Sequence, residues 1–229
     1  MPRAGLTHQS VVREGAQVAD DLGWDHLTLA VVAQRLGVSM PGLYKHIGSI
    51  DGLRHDVAVY ALSAMAERLE SATTGLSGPE ALRALAQAYR SFVQHHPGLY
   101  TAAMRAPSWI DAEHSSAARS VLRAAYTSLE GYGLTGRDAA DAVRAVRAAL
   151  HGFTTLESSG GFGTPLDLDR SYQRLVDALD GALVTWPRHG SPTTRLAGGH
   201  GEGGHGEGGP SDGGGPSDGD EDRRGTARA

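Results

Sequence analysis

The 229-residue chain has no cysteine. That excludes disulfides, thiolate metal sites and a cysteine nucleophile. It has one lysine, Lys45, so almost all of its fixed positive charge is arginine. No run approaches ~18 consecutive apolar residues, so no membrane-spanning segment is expected. The first fifteen residues, MPRAGLTHQSVVREG, lack the apolar stretch of a secretory signal, and the expected compartment is the cytoplasm. Basic charge is also scarce: the formal net charge is −5. Residues 197–229 hold seven carboxylates against three arginines, which leaves the preceding body near neutral. A near-neutral body argues against a broadly basic nucleic-acid coat but permits a small local patch.

What is present reads as helix. Proline is sparse, alanine is abundant, and apolar residues recur every three to four positions with no period-two alternation. The expected fold is all-α, with no sheet. Val11, Val12, Ala16, Ala19 and Leu22 form a first stripe closed by Gly23. Leu29, Val32, Ala33 and Leu36 form a second, entered at Thr28 and closed by Gly37. A third segment runs from Ser39 to Ile47. Ser49 caps a long helix carrying Leu53, Val57, Tyr60, Ala61, Ala64 and Met65. Beyond Gly75 and Gly78–Pro79, helices are expected over about 80–96, 99–104, 109–130, 136–158 and 168–186. The tail from about Gly198 repeats HGEGG and carries almost no apolar residues, so it predicts disorder. His200 and His205 are its metal-capable groups, a weak set in a flexible chain, and no metal site is expected.

The informative stretch is Leu27–Ile47, LTLAVVAQRLGVSMPGLYKHI. Two short helices joined at Gly37–Val38 suit a helix-turn-helix. Ala33 is small enough for a close crossing, and Gly37 can take the positive φ that turns the chain sharply. Val32, Leu36, Val38 and Leu43 would fill the angle between the helices. The outer face of the second helix presents Met40, Pro41, Gly42, Lys45 and His46, the kind of face that enters a DNA major groove. Thr28, at the start of the first helix, combines a hydroxyl with free backbone N–H groups suited to a phosphate.

Segment 7–60 resembles the DNA-binding domain of the TetR/AcrR family of transcriptional regulators. The matching residues are Gly23, Thr28, Val32–Ala33, Gly37–Val38–Ser39 and Leu43–Tyr44–Lys45–His46–Ile47. Leu150–His151–Gly152–Phe153 resembles the core of the WHG type of C-terminal domain, with Leu150 where that label has Trp. The resemblance implies a helix-turn-helix domain over 1–52, a helical ligand-binding and dimerisation domain over 53–190, and a disordered acidic tail over 191–229. It implies phosphate contacts from Thr28 and Tyr44. Ser39, Met40, Pro41, Gly42 and Lys45 would lie in or beside the groove, with His46 packing or touching the DNA backbone. Ile50 stands where many members carry a lysine, which removes one expected phosphate contact. The basic residues of the region are then Arg3, Arg13, Arg35 and Lys45, and binding should show a shallow salt slope.

The same resemblance implies a homodimer that binds a double-stranded operator and is released by a small, largely apolar effector. Candidate pocket residues are Phe92, His96, Tyr100, Met104, Trp109, His151 and Phe153, with Tyr89, Val93 and Leu122 beside them. Two stripes would supply the twofold contact: Ala139, Ala142, Val143, Val146, Ala149, Leu150 and Phe153, and then Tyr172, Leu175, Val176, Leu179, Leu183 and Trp186. No cofactor is implied.

Other signals have plainer readings. Gly131–Gly136 matches G-x-G-x-x-G, but a helix rather than a strand precedes it, so it reads as an interhelix turn. His95 and His96 are adjacent and point to different faces, which disfavours a shared metal. Asp111 and Glu113 compensate a helix dipole. No catalytic triad can be assembled from local spacing, and no enzyme is expected. The competing reading is a ligand-binding or scavenging helical module whose helix-turn-helix is vestigial.

Overall fold

The computed structural model describes residues 6–105, 111–163 and 167–188. Nine α-helices occupy them: α1 His8–Leu22, α2 Leu29–Leu36, α3 Met40–Leu43, α4 Ile50–Thr73, α5 Gly78–His95, α6 Pro97–Met104, α7 Ala112–Leu129, α8 Gly136–Ser158 and α9 Leu168–Val184. Among the described residues there is no strand. Trp109 and the glycine-rich tail with His200 and His205 lie outside them.

Side-chain caps set several of the starts. The Thr7 hydroxyl accepts from the Ser10 N–H at 3.1 Å, and the Ser10 hydroxyl accepts from the Thr7 N–H at 2.9 Å, closing a reciprocal capping box. Ser49 accepts from the Gly52 N–H at 3.0 Å and starts α4. Asp111 accepts from the His114 N–H at 2.7 Å and starts α7, the helix-terminal role expected of it. Gly131–Gly136 forms a single 3-10 turn and a left-handed Gly133 between α7 and α8.

Helix α4 is the axis. It packs against α1, α5, α6 and α7, so its buried surface is wider than a simple stripe. Leu53, Val57, Ala61 and Met65 are buried as expected, joined by Leu62 and Leu69, while Tyr60 is exposed. Leu22 is likewise exposed, because Gly23 (φ 93°) turns the chain away just beyond it. The division expected at residue 52 falls inside the first turn of α4, so the two functional parts share one continuous helix.

Helices α1 and α6 cross closely at Gly98. A Cβ on Gly98 would lie 1.9 Å from the Ala19 carbonyl oxygen, so only glycine allows the two backbones this close. Asp20 of α1 secures the crossing. Its carboxylate accepts from the Leu99 N–H at 2.9 Å and sits 2.8 Å from His96 Nδ1. Helix α6 lacks a side-chain cap from its own segment, and Asp20 fills that role from α1.

The stripes proposed for a twofold contact build the monomer core in large part. Ala142, Val143, Val146 and Leu150 of α8 are buried, as are Tyr172, Val176 and Leu183 of α9. Both helices pack on α5 as well as on each other, and that contact claims these side chains. The neighbouring face stays open: Ala148, Leu156, Ala178 and Ala182 are exposed. A Cβ on Gly152 or Gly181 would meet nothing within 4 Å.

Candidate nucleic-acid interface and effector cavity

Helices α2 and α3 meet at the corner the sequence predicts. Gly37 ends α2 at φ 65° and ψ 34°, and the Val38 N–H returns to the Ala33 carbonyl at 3.0 Å. Val32, Ala33 and Leu43 are buried in the angle, with Leu36 and Val38 partly buried beside them. The third segment is shorter than expected: α3 is one turn, and Tyr44–His46 continue as a turn before Ile47 folds back into the core. Pro41, Gly42 and Gly48 are poor helix formers, and burying Ile47 outweighs extending the helix past Leu43.

The outward side chains suit the expected roles unequally. Tyr44 is 52% exposed, which removes the alternative that it is a core aromatic. Lys45 and Pro41 are exposed beside it. Ser39 is exposed and its hydroxyl caps α3, accepting from the Gly42 N–H at 3.3 Å. Thr28 caps α2 in the same way through the Val31 N–H at 3.3 Å. Met40 is half-buried against the core, and Gly42 and His46 are half-buried as well. Ile50, also half-buried, packs on that core, so the position is apolar for a structural reason.

Positive charge is thinner here than a residue count suggests. Arg35 lies 2.7 Å from Asp21 and 3.5 Å from Glu14, and the Asp21 hydrogen bond foremost raises its already high pKa. Two carboxylates therefore neutralise it on its own protomer. Sequence reasoning missed Arg54, on α4, whose guanidinium donates to the Leu27 carbonyl at 3.4 Å directly before Thr28. Its spacing on α4 carried no signal, because the contact depends on how α4 crosses the start of α2.

Two cavities open beyond this region. The first, about 210 Å³, lies among α4, α5, α6, α7 and α8, and its wall includes Leu62, Tyr89, Met104, His114, Leu122 and Arg147. The second, about 390 Å³, is bordered by Val93, Tyr100, Met104, Arg105, His151 and Thr155. Met104 borders both. The Tyr89 and Tyr100 hydroxyls lie 2.6 Å apart, and Tyr100 in turn bonds His151 Nδ1 at 2.5 Å. Burial pushes both phenols above their ordinary range, so they remain protonated in the neutral pH range.

Of the pocket residues expected from sequence, Tyr100, Met104 and His151 border a cavity. Phe92 does not; it is a fully buried core residue. His96 is engaged by Asp20 and lies against the Phe92 ring. Phe153 packs on Phe162 and Tyr172 between α8 and α9. None of the three lines either cavity, which apolar periodicity alone does not resolve. His95 bonds the Ser91 carbonyl at 2.8 Å, so the adjacent histidines do diverge. His114 was missed, although His114, Ala118, Val121, Leu122 and Ala125 share one face of α7 at three-to-four spacing.

A polar cluster joins the base of this region to α1. His55 of α4 contacts Asp111 at the start of α7 and lies 3.0 Å from Asp56. Asp56 also holds His8 of α1 at 2.9 Å. The Asp56 hydrogen bond, followed by the field of Asp111, raises the His55 pKa against the opposing effect of burial.

Residues 82–179 match a family described as tetracyclin repressor-like, C-terminal domain. That span runs from α5 into α9. The chain is 33% identical to the uncharacterized HTH-type transcriptional regulator Rv0681 of Mycobacterium tuberculosis, over 82% of this chain and 86% of that one. It is 30% identical to YobS of Bacillus subtilis, another uncharacterized HTH-type transcriptional regulator, over 80% and 96%. Among solved structures, a protein of unknown function from Rhodococcus shares the fold at a TM-score of 0.68 and 21% identity, covering 80% of this chain and 98% of that one. The TetR family protein ActR of Streptomyces coelicolor, solved with actinorhodin, matches at 0.58 and 18% identity over 80% and 98%.

Proposed function

The chain belongs to the TetR/AcrR family of helix-turn-helix transcriptional regulators, and from that membership we propose that it is a dimeric repressor released from its operator by a small, largely apolar effector. One observation carries the DNA-reading half. Tyr44 and Lys45 stand exposed on the outer side of a one-turn α3, seated at the Gly37 corner. Thr28 and Tyr44 contact phosphates, and Ser39, Pro41, Gly42 and Lys45 lie in or beside the major groove. Met40 and His46 lie at its edge, partly withdrawn into the protein. The protein acts on chromosomal DNA in the cytoplasm.

Gel-shift titration against the DNA adjoining its own gene tests this reading; binding without sequence preference would discard it. Because Arg35 is neutralised internally and Ile50 replaces a cation, few phosphates are contacted. Lys45→Ala should lower the salt slope of log affinity by about 1, uniformly across DNA sequences if Lys45 touches only phosphate, and with relaxed preference if it also reads a base.

The open face of α8 and α9 supplies the twofold contact. Small residues there, among them Ala148, Gly152, Ala178 and Ala182, let helices approach closely, and Leu156 provides apolar area. Leu156→Glu combined with Ala182→Glu should raise the dimer dissociation constant at least tenfold, a loss of ~1.4 kcal/mol. Sedimentation velocity checks this, and an unchanged dimer would place the interface elsewhere.

Release follows from where the cavities sit. Helix α6 contributes Met104 to both cavities, and its other end is held to α1 by Asp20. Helix α4 borders the first cavity and begins beside α3. An effector that fits a displaced α6 and α4 better than this arrangement shifts the spacing of the two α3 faces. The weak cationic character also favours a second reading, a ligand-binding module with vestigial DNA contacts, and the same gel shift separates the two.

A further inference from the structure

The first cavity has an apolar wall, built from residues such as Leu62, Leu69, Leu85, Val146 and Leu150, and no carboxylate borders it. Tyr89, His114 and Arg147 are the polar side chains of that wall. His114 is 8% exposed, it borders the cavity, and among the described residues its Nδ1 has no hydrogen-bond partner. Its neighbours cannot supply one readily. Asp111 is occupied by the His114 backbone N–H and by His55, whose ring centroid lies 6.5 Å from that of His114. A buried polar atom of this kind is ordinarily paired. The cation on the wall, Arg147, is exposed, and its Nη2 lies 4.0 Å from the Met104 sulfur.

From the unpaired His114 Nδ1, the Arg147 guanidinium and the absence of carboxylates on the wall among the described residues, we propose that this cavity takes a small weak acid. Its acidic oxygen sits on His114 and its apolar body lies against the α4, α5 and α8 leucines and valines. A neutral imidazole can donate to or accept from that oxygen, and Arg147 favours an anionic head. The wall discriminates against cationic amphiphiles, which would bring charge into an apolar space without a counterion. The cavity volume of about 210 Å³ lies below the ~300–1,000 Å³ of drug-sized sites, so the acid is short.

This inference rests on the cavity being the effector site, and its test avoids DNA so that the two can fail separately. Calorimetric titration of the full chain with octanoic acid and with octylamine reads it. Octanoic acid should bind at least tenfold more tightly than octylamine. His114→Leu should weaken octanoic acid about tenfold, and His114→Gln, which keeps a hydrogen-bonding group, should restore part of that loss. Imidazole nitrogen NMR of the unsubstituted protein provides a readout that does not depend on a variant folding: one ring should shift on adding octanoic acid. The inference is overturned by no octanoic acid binding, by equal octylamine binding, by undiminished binding to His114→Leu, or by an unmoved imidazole spectrum. Octanoic acid that binds through His114 but leaves the gel shift unchanged would instead overturn effector release.

Discussion

Arg90→Ala is expected to destabilise the protein by about 3–5 kcal/mol, the cost of stranding one partner of a buried ion pair. Arg90 is 6% exposed on α5. Its Nε donates to Glu157 Oε2 at 2.9 Å and its Nη2 to Oε1 at 2.5 Å, a two-pronged contact with α8. Nη2 also lies 2.7 Å from Asp169 at the start of α9. The guanidinium carbon sits 4.8 Å from the centroid of the Tyr172 ring and 5.9 Å from that of Phe153. One side chain therefore ties α5, α8 and α9 together beneath the proposed dimer face.

The magnitude comes from what remains behind. With Arg90 gone, the Glu157 carboxylate keeps only the long hydrogen bond from the Gln94 amide, at 3.4 Å, among the contacts of the described residues. Asp169 matters less, because it is largely exposed and its pairing is screened. Thermal unfolding should show Tm lowered by on the order of 10 °C. The double variant Arg90→Met with Glu157→Leu should recover most of the loss, because it removes both charges and fills the space. A single-variant loss under about 1 kcal/mol would mean that the pair is solvated and does not organise the three helices.

The second large effect is expected at Gly98. Alanine there puts a carbon where the Ala19 carbonyl group and the Asp20 N–H already stand, 1.9 Å and 2.6 Å from the oxygen and nitrogen. Both are backbone, so no rotamer change relieves the clash, and α1 and α6 must separate. Overpacking of this kind costs about 1–3 kcal/mol or more. It should also weaken the Asp20 bonds to Leu99 and His96, loosening the link between the DNA-reading helices and the cavity wall. Denaturant melts measure the first consequence. The second appears in gel shifts as altered operator affinity with a blunted response to effector. Wild-type stability in Gly98→Ala would show that the crossing is wider than it stands here.

Much of this architecture was legible in the residues. Gly37 needed positive φ, Thr28, Ser39 and Ser49 were placed to cap, and the three-to-four spacing gave the helices. What stayed hidden was rotation about the helix axes. Periodicity showed that α8 and α9 were apolar, but not that Val146 and Val176 are buried while Leu156 and Val184 are exposed. In the same way Phe92, His96 and Phe153 lie on helices near the cavities without reaching them. His114 and Arg54 act through helix crossings far apart in sequence, which local spacing cannot register. Arg35 counted as a free cation until Glu14 and Asp21 came beside it.

The account turns on whether the outer face of α3 reads DNA. Fluorescence anisotropy with the DNA adjoining the gene, comparing the unaltered chain with a Tyr44→Ala, Lys45→Ala double variant, tests it directly. The double variant should lose at least tenfold in operator affinity while its sedimentation profile and thermal stability stay unchanged. Full operator affinity in that variant would contradict the account.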